Sequence, residues 1–153
     1  MHSSPGKALF YNAKDDPDQI RQAMQREFRR AVKDKKHPFR LAVLGSQKSE
    51  GIGLRYVVLR EYTEDDRMLF YTDSRSPKVH ELQEAATSSL LFYHPQKGVQ
   101  IRIEGKMEVH YKDVLCKEHW QRVQGIVQRA YTPLIPPGEI IEVPEQAHQW
   151  PDE

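Results

Sequence analysis

The sequence predicts a mainly β (α+β) fold, in which helices flank a small barrel or a strongly curved antiparallel sheet. Five apolar runs of strand length are separated by short polar loops. Three further segments carry apolar residues at helical spacing. The 153 residues amount to one domain's length and can bury a core. We therefore expect a flexible tail over residues 1–14 and a single domain over residues 15–153.

The elements follow from the periodicity of the apolar residues. Asp16 before Pro17 is a helix start, and the apolar stripe that follows continues to about Lys35. The clearest strand begins at Val99 and alternates apolar with polar residues as far as His110. We predict helices at about 16–35, 76–86 and 112–130, and strands at 39–44, 54–61, 68–72, 89–93 and 99–110.

The composition excludes several classes of protein. Hydrophobic residues make up 38% and charged residues 29% of the chain, which is polar but not disordered. The net charge of +1 requires neither nucleic acid nor an acidic membrane, although a basic face on the first helix leaves a nucleic-acid patch open as an alternative to a solvated surface. The single cysteine, Cys116, excludes an internal disulfide, and no apolar stretch is long enough to span a membrane. We expect a cytoplasmic protein that binds neither nucleic acid nor membrane.

The familiar catalytic signatures are absent from the chain. It has no zinc-binding helix motif, no paired cysteines, no Walker loop and no nucleophile elbow. Its seven histidines show no ligand spacing. We therefore expect no metal site.

The most distinctive segment is residues 70–78, where an apolar run gives way to hydroxyls and cations at the start of a helix. Ser76 and Pro77 form a good helix cap and first helical residue, and Arg75 and Lys78 flank them. Backbone N–H groups, hydroxyls and a cation at a helix N-terminus can hold a phosphate. The alternative is a capped turn without a ligand.

The strand at 54–61 mixes cations with apolar residues on both faces. Arg55 shares one face with Val57, and Arg60 shares the other face with Val58, because strand side chains alternate. A cation on a packed face needs a counterion, or it must reach water at the edge of the sheet.

Taken in order, these motifs resemble a known family. The runs RYVVLR at 55–60, FYTD at 70–73, SPK at 76–78, LLF at 90–92 and QIRIEG at 100–105 are similar to the pyridoxamine 5'-phosphate oxidase-related FMN-binding proteins, and most similar to their Alr4036-type branch. The resemblance covers residues 17–110 well. It implies a six-stranded antiparallel split barrel that forms a homodimer, with the cofactor FMN in the clefts between subunits.

The resemblance also implies the cofactor contacts. The cations Arg55 and Lys78 would neutralise the FMN phosphate, and Gln100 would meet an edge of the flavin through its amide. Tyr71 and Thr72 would meet the ring system mainly through their backbone. The full implied set is Arg55, Tyr56, Val57, Val58, Leu59, Arg60, Tyr71, Thr72, Arg75, Ser76, Lys78 and Gln100.

Departures from the family pattern concern the substrate side. Pro77 stands where the oxidases have an arginine, and the residues that bind pyridoxal phosphate have no match. The oxidases end with a strand that carries a tryptophan and an arginine, and here Trp150 is the one weak candidate. Two function classes remain open: an FMN-dependent oxidoreductase acting on an unidentified small substrate, or a non-catalytic module that binds flavin or haem or serves as an interaction protein.

Overall fold

The computed structural model describes residues 11–12, 14–84, 87–123 and 125–151. Residues 1–10 and 13 of the predicted tail lie outside the described residues. The helices are α1 (Pro17–Lys33), α2 (Pro77–Glu84), α3 (Val114–Arg122) and α4 (Ile126–Arg129), with short 3-10 helices at Pro38–Arg40 and Pro144–His148. The strands are β1 (Leu41–Gln47), β2 (Ile52–Tyr62), β3 (Met68–Phe70), β4 (Ser88–His94) and β5 (Val99–Gly105).

The strands form one sheet in the order β3-β2-β1-β4-β5. Strand β1 runs antiparallel to β4, with Val43 opposite Leu91, and β2 runs antiparallel to β3, with Leu59 opposite Phe70. An antiparallel sheet with flanking helices is therefore confirmed. Within the described ranges the sheet has five strands, where the family resemblance implies six.

The chain forms two compact units. The first contains the described residues up to 45 together with 54–70 and 89–104, and so holds α1 and most of the sheet. The second contains 46–53, 71–88 and the described residues from 105 onward, and so holds α2, α3 and α4. The assignment of residues 15–153 to a single domain stays a prediction.

Aromatic rings form the core of the first unit. Phe28 on α1 is fully buried, and its ring centre lies 5.5 Å from that of Phe39, 5.3 Å from that of Tyr62 and 4.9 Å from that of Phe92. The side chains that face α1 from the sheet are also buried, because they occupy alternate positions along their strands. They are Ala42, Leu44, Val57, Leu59, Leu90 and Phe92.

Four predicted elements end earlier than the sequence pattern suggests. The first helix ends at Lys33 rather than at about Lys35, and the strand predicted over 68–72 ends at Phe70. The strand predicted over 99–110 stops at Gly105, although Met107 and Val109 stay half-buried between exposed neighbours. The helix predicted over 112–130 is divided into α3 and α4, because the backbone is extended at Val123 and Gly125 has a φ of 60°, and neither conformation continues a right-handed helix. The alternation of apolar and polar residues thus continues beyond Gly105, the last residue of β5.

A polar cluster around Asp66 closes the turn between β2 and β3. The Asp66 carboxylate accepts hydrogen bonds from Arg21, Gln25 and the Tyr62 hydroxyl. These bonds lower the pKa of Asp66 to about 2, with the bond from Tyr62 as the largest cause. Burial and the same carboxylate raise the pKa of Tyr62 to about 12.

We expect Asp66→Asn to remove part of the acid sensitivity of the fold. A carboxyl with a lowered folded-state pKa stabilises the fold above its unfolded pKa, and that stabilisation is lost as the pH falls through the folded value. The stabilisation contributed by the Asp66 carboxylate is therefore lost between about pH 4 and about pH 2. The loss at pH 7 should be below about 1 kcal/mol because the cluster is solvent-exposed. Asn tolerates the φ of 63° at this position, so Asp66→Asn should not strain the backbone. Urea titrations at pH 7, 4 and 2.5 measure the effect, and parallel pH profiles for both proteins would contradict it.

Candidate cofactor site

The start of α2 combines a hydroxyl and an ammonium group. Ser76 directly precedes Pro77, the first residue of α2, and its side chain is buried. Lys78 Nζ donates to Ser76 Oγ over 2.8 Å and is half-buried. The dipole of the helix favours negative charge at this end, although Pro77 has no N–H and the Val79 N–H donates to the carbonyl of Ser76 over 2.9 Å. The arrangement therefore has the donors that a phosphate group requires.

Arg75, next to this pair, is held by hydrogen bonds within the second unit. Its guanidinium donates to both carboxylate oxygens of Asp73, over 3.0 and 2.6 Å, and to the carbonyl of Pro133 over 2.7 Å. Burial opposes ionisation of Asp73, but the bonds from Arg75 outweigh it and lower the pKa of that carboxyl. Arg75 thus joins the turn before α2 to the segment after α4, and its role as a phosphate donor stays a prediction.

Tyr71 and Thr72 lie in the same turn. The Tyr71 hydroxyl is 2.8 Å from Nδ1 of His119 on α3, and its ring packs edge-on against Tyr131. Thr72 is exposed. The Tyr71 side chain is thus engaged in packing, and a backbone contact of Tyr71 with the cofactor stays a prediction. Sequence reasoning missed His119 and Tyr131, and at separations of 48 and 60 residues no local pattern links them to Tyr71.

The β2 residues of the predicted set belong to the first unit and alternate as expected up to Leu59. Val57 and Leu59 are buried in the core, and Arg55 shares their face. Tyr56 is 75% exposed on the opposite face, which Val58 shares in a half-buried position. A register shift between Leu59 and Glu61 ends the simple alternation at Arg60, so the shared face of Val58 and Arg60 stays a prediction. The strand therefore presents Tyr56 on the face turned away from α1.

A groove of about 570 Å³ lies on that outward face of the sheet. It brings together Tyr56 and Gln100, two of the predicted cofactor contacts. The remaining walls are apolar or aromatic, and consist of Pro38, Leu41, Val43, Leu91, Tyr93 and Pro95. Ligand sites for flat, largely apolar groups have this size and this sparse polarity.

The family of the chain is shown by a sequence match. The model for the pyridoxamine 5'-phosphate oxidase FMN-binding domain matches residues 17–111, which is more than half of the chain. The chain belongs to this family. Its cofactor is FMN, as the resemblance in the sequence predicts, whereas the Alr4036-type branch stays a prediction. No curated protein sequence matches the chain.

Two solved structures have the same fold. One is a pyridoxamine 5'-phosphate oxidase-related, FMN-binding protein from Nostoc punctiforme, with a TM-score of 0.64 and 19% identity over 92% of this chain and 75% of that one. The other is PhzG from Burkholderia lata, in complex with tetrahydrophenazine-1-carboxylic acid, with a TM-score of 0.69 and 23% identity over 88% of this chain and 66% of PhzG. At these identities the likeness concerns the fold.

Each unit, taken by itself, holds residues whose chemistry suits one part of FMN. A phosphate dianion is matched by the ammonium of Lys78 and the hydroxyl of Ser76 at a helix N-terminus. An isoalloxazine ring is matched by an aromatic and apolar groove with one amide, that of Gln100, because an amide can donate to and accept from a flavin edge.

No helix within the described ranges combines the length and the apolar character that crossing a membrane requires.

Proposed function

We propose that this protein is a cytoplasmic FMN-dependent oxidoreductase that acts on a small substrate and works as a homodimer of six-stranded split barrels. The observation that carries the proposal is the groove in which Tyr56 and Gln100 meet, in a chain of an FMN-binding family. When bound, FMN supplies a hydride or electron-pair acceptor in its flavin ring. The chain's own residues bind and orient the cofactor and exclude water.

The phosphate end is proposed to depend on Lys78 and Ser76. Their 2.8 Å hydrogen bond holds the ammonium beside the hydroxyl at the start of α2, so both donors are already placed. Arg55 and Arg75 are proposed as further cations for the phosphate. Charge-assisted hydrogen bonds are stronger than neutral ones. Lys78 should therefore contribute more to FMN affinity, through the phosphate, than neutral contacts with the ribityl chain do.

The ring end is proposed to lie in the groove of the first unit. Tyr56 offers an aromatic face and Gln100 an amide, while the other β2 residues of the predicted set offer backbone groups along the strand. Leu41, Val43 and Leu91 keep the groove apolar. An apolar wall disfavours bulk water near the flavin, and the Gln100 amide fixes the orientation of the ring edge.

The substrate is proposed to differ from pyridoxamine 5'-phosphate. Pro77 occupies the place of an oxidase arginine, and the substrate-side residues of the oxidases have no match in this sequence. A substrate phosphate without cationic partners loses the orientation that an efficient reaction needs.

The test is spectroscopic first and kinetic second. Full-length protein purified with FMN should be yellow and retain the cofactor through desalting. Steady-state production of pyridoxal phosphate or peroxide from pyridoxamine phosphate should stay below about 1 s⁻¹, the low end of ordinary enzymes. Absence of flavin binding would overturn the proposed function, and faster turnover would overturn the substrate argument. Bound flavin that dithionite reduces but no small substrate does would indicate a non-catalytic carrier.

The homodimer is proposed because the outward face of the sheet is apolar and exposed. Leu41 is 49% exposed, Tyr56 75% and Tyr93 54%, and all three line the groove. A contiguous apolar face of this kind is typical of an interface. A second copy of the chain would cover this face, and the cofactor cleft would then lie between the two subunits.

We expect the wild-type protein to be a dimer and Tyr93→Glu to weaken it. Light scattering should report twice the 17.9 kDa chain mass for the wild type. Two buried carboxylates without partners would oppose association, so Tyr93→Glu should raise the dimer dissociation constant by at least about tenfold. Ile140→Glu is the matched control, because Ile140 is 97% exposed and lies in the C-terminal segment rather than on this face. A monomeric wild type at micromolar concentration would contradict the expectation.

A further inference from the structure

Three buried side chains of the first unit meet outside the proposed cofactor site. Glu27 on α1, His37 before the first 3-10 helix and His94 at the end of β4 each offer a ligand atom, and these atoms all lie within 4.8 Å of one another. The three residues are only 5%, 6% and 7% exposed. We propose that Glu27, His37 and His94 form a site for a single Zn²⁺ ion.

The ligand set matches the preferences of zinc. Two imidazoles and one carboxylate are a known three-residue zinc set, with bonds of about 2.0–2.2 Å. Tetrahedral geometry then separates ligand atoms by roughly 3.3 Å. His37 Nε2 and Glu27 Oε2 are 3.0 Å apart, close to that edge. The longest separation, at most 4.8 Å, requires a side-chain adjustment of roughly 1.5 Å.

His94 supplies an independent observation that a ligand belongs here. Its Nδ1 atom is fully buried and has no hydrogen-bond partner within the described part of the chain. A buried polar atom without a partner is unfavourable, and a bound ion is one of the explanations for such an atom in a native structure. The His94 ring centre lies 5.6 Å from that of His37, with the two rings nearly perpendicular.

Arg30 already orients the carboxylate for this role. Its guanidinium donates to Glu27 Oε1 over 2.8 Å, so Oε2 is the oxygen that faces His37. Outer-shell hydrogen bonds of this kind fix metal-ligating carboxylates. Lys97 Nζ is 4.0 Å from Oε2 and competes with a cation, so zinc binding requires this ammonium group to move away from Glu27.

Zinc binding requires two hydrogen bonds of the metal-free form to be lost, that between His37 and Glu27 and that from the Phe39 N–H to His37. His37 Nδ1 accepts the Phe39 N–H over 3.1 Å, so the ring proton is on Nε2 and points at Glu27. Coordination through Nε2 moves that proton to Nδ1, and the ring stays neutral. The metal replaces the bond between His37 and Glu27, and the Phe39 N–H loses its acceptor and faces a second N–H donor, so the imidazole has to turn away from it. The cost of these two hydrogen bonds is small beside the affinity of structural zinc sites.

The site also bears on the proposed cofactor groove. His37 directly precedes Pro38, and His94 directly precedes Pro95, and both prolines line the groove. A metal that fixes the two histidines therefore fixes the two corners of the chain that form part of the groove wall.

The test is Zn²⁺ titration of the full-length chain after treatment with a chelator, followed by calorimetry and thermal unfolding. We expect one Zn²⁺ per chain and a melting temperature that rises with zinc concentration. His94→Phe should weaken zinc binding by more than about 100-fold, beyond the 10–100-fold typical of an outer-shell change. His80→Phe, at an exposed position on α2, is the matched control and should bind zinc as the wild type does.

Lys97→Met and Co²⁺ spectroscopy keep the proposal falsifiable if His94→Phe fails to fold. Removal of the competing ammonium should tighten zinc binding by about tenfold, the scale of outer-shell effects. Co²⁺ in place of zinc should give the visible absorption of a tetrahedral site with nitrogen and oxygen ligands. Failure of the wild type to bind zinc, or equal binding by His94→Phe, would overturn the proposal.

Discussion

Replacement of Phe28 by alanine is expected to lower the free energy of unfolding by about 3–5 kcal/mol, the range for removing a buried phenylalanine ring. Phe28 has no exposed surface, and three rings from other elements lie around it at centre-to-centre distances of 4.9 to 5.5 Å. Loss of the ring removes its transfer free energy and its edge contacts, and leaves a cavity that rigid neighbours fill poorly.

Urea unfolding followed by far-ultraviolet circular dichroism measures this effect. Ile20→Ala is the matched control, because Ile20 lies on the same helix but is 37% exposed, and it should cost less than about 1 kcal/mol. Phe28→Leu should fall between the two. A loss below about 1 kcal/mol for Phe28→Ala would mean that α1 does not pack on the sheet as described.

The sequence predicts the first unit well because its signals are local and mutually consistent. Asp16 caps α1 through the capping box with Gln19, and Pro17 begins the helix, as residue chemistry alone suggests. The apolar stripe of α1 and the alternation of β2 both appear in the burial of the structure. Local propensity and packing favour the same conformation here.

The second unit is harder to predict because its contacts join residues distant in the sequence. Arg75 is fixed by the carbonyl of Pro133, and Tyr71 by His119, and no spacing rule indicates either pair. The break between α3 and α4 depends on the positive φ of Gly125, which an otherwise helical pattern hides.

The two candidate sites also differ in how far the sequence alone predicts them. The Ser76 and Lys78 pair is visible in the sequence, because cap, hydroxyl and cation are neighbours at one helix start. Glu27, His37 and His94 show no ligand spacing, and the sequence therefore predicts no metal site. Packing of α1 against the first 3-10 helix and the end of β4 brings the three side chains together.

Lys78→Ala is expected to weaken FMN binding by roughly ten- to hundred-fold, which corresponds to about 1.5–3 kcal/mol for a charge-assisted hydrogen bond to a phosphate. The ammonium is half-buried and already placed beside Ser76 Oγ at 2.8 Å, so little side-chain entropy is lost on binding. Lys117→Ala, on an exposed position of α3, removes the same charge and should leave the FMN affinity unchanged. Arg55→Ala should weaken FMN binding over the same range, as the second proposed phosphate cation.

Comparison of FMN with riboflavin assigns the effect to the phosphate. Riboflavin has the same ring and ribityl chain without the phosphate, so it should bind the wild type poorly and should not distinguish the wild type from Lys78→Ala. Fluorescence quenching titrations of the wild type and Lys78→Ala with both ligands measure four dissociation constants. The mutant-to-wild-type ratio for FMN, divided by the same ratio for riboflavin, gives a coupling energy in which general effects on folding cancel. Equal FMN affinity in the wild type, Lys78→Ala and Arg55→Ala would remove these two residues from the phosphate site. A parallel loss of riboflavin and FMN affinity in Lys78→Ala would instead show that the lysine supports the ring or the fold, because only a contact with the phosphate can discriminate between the two ligands.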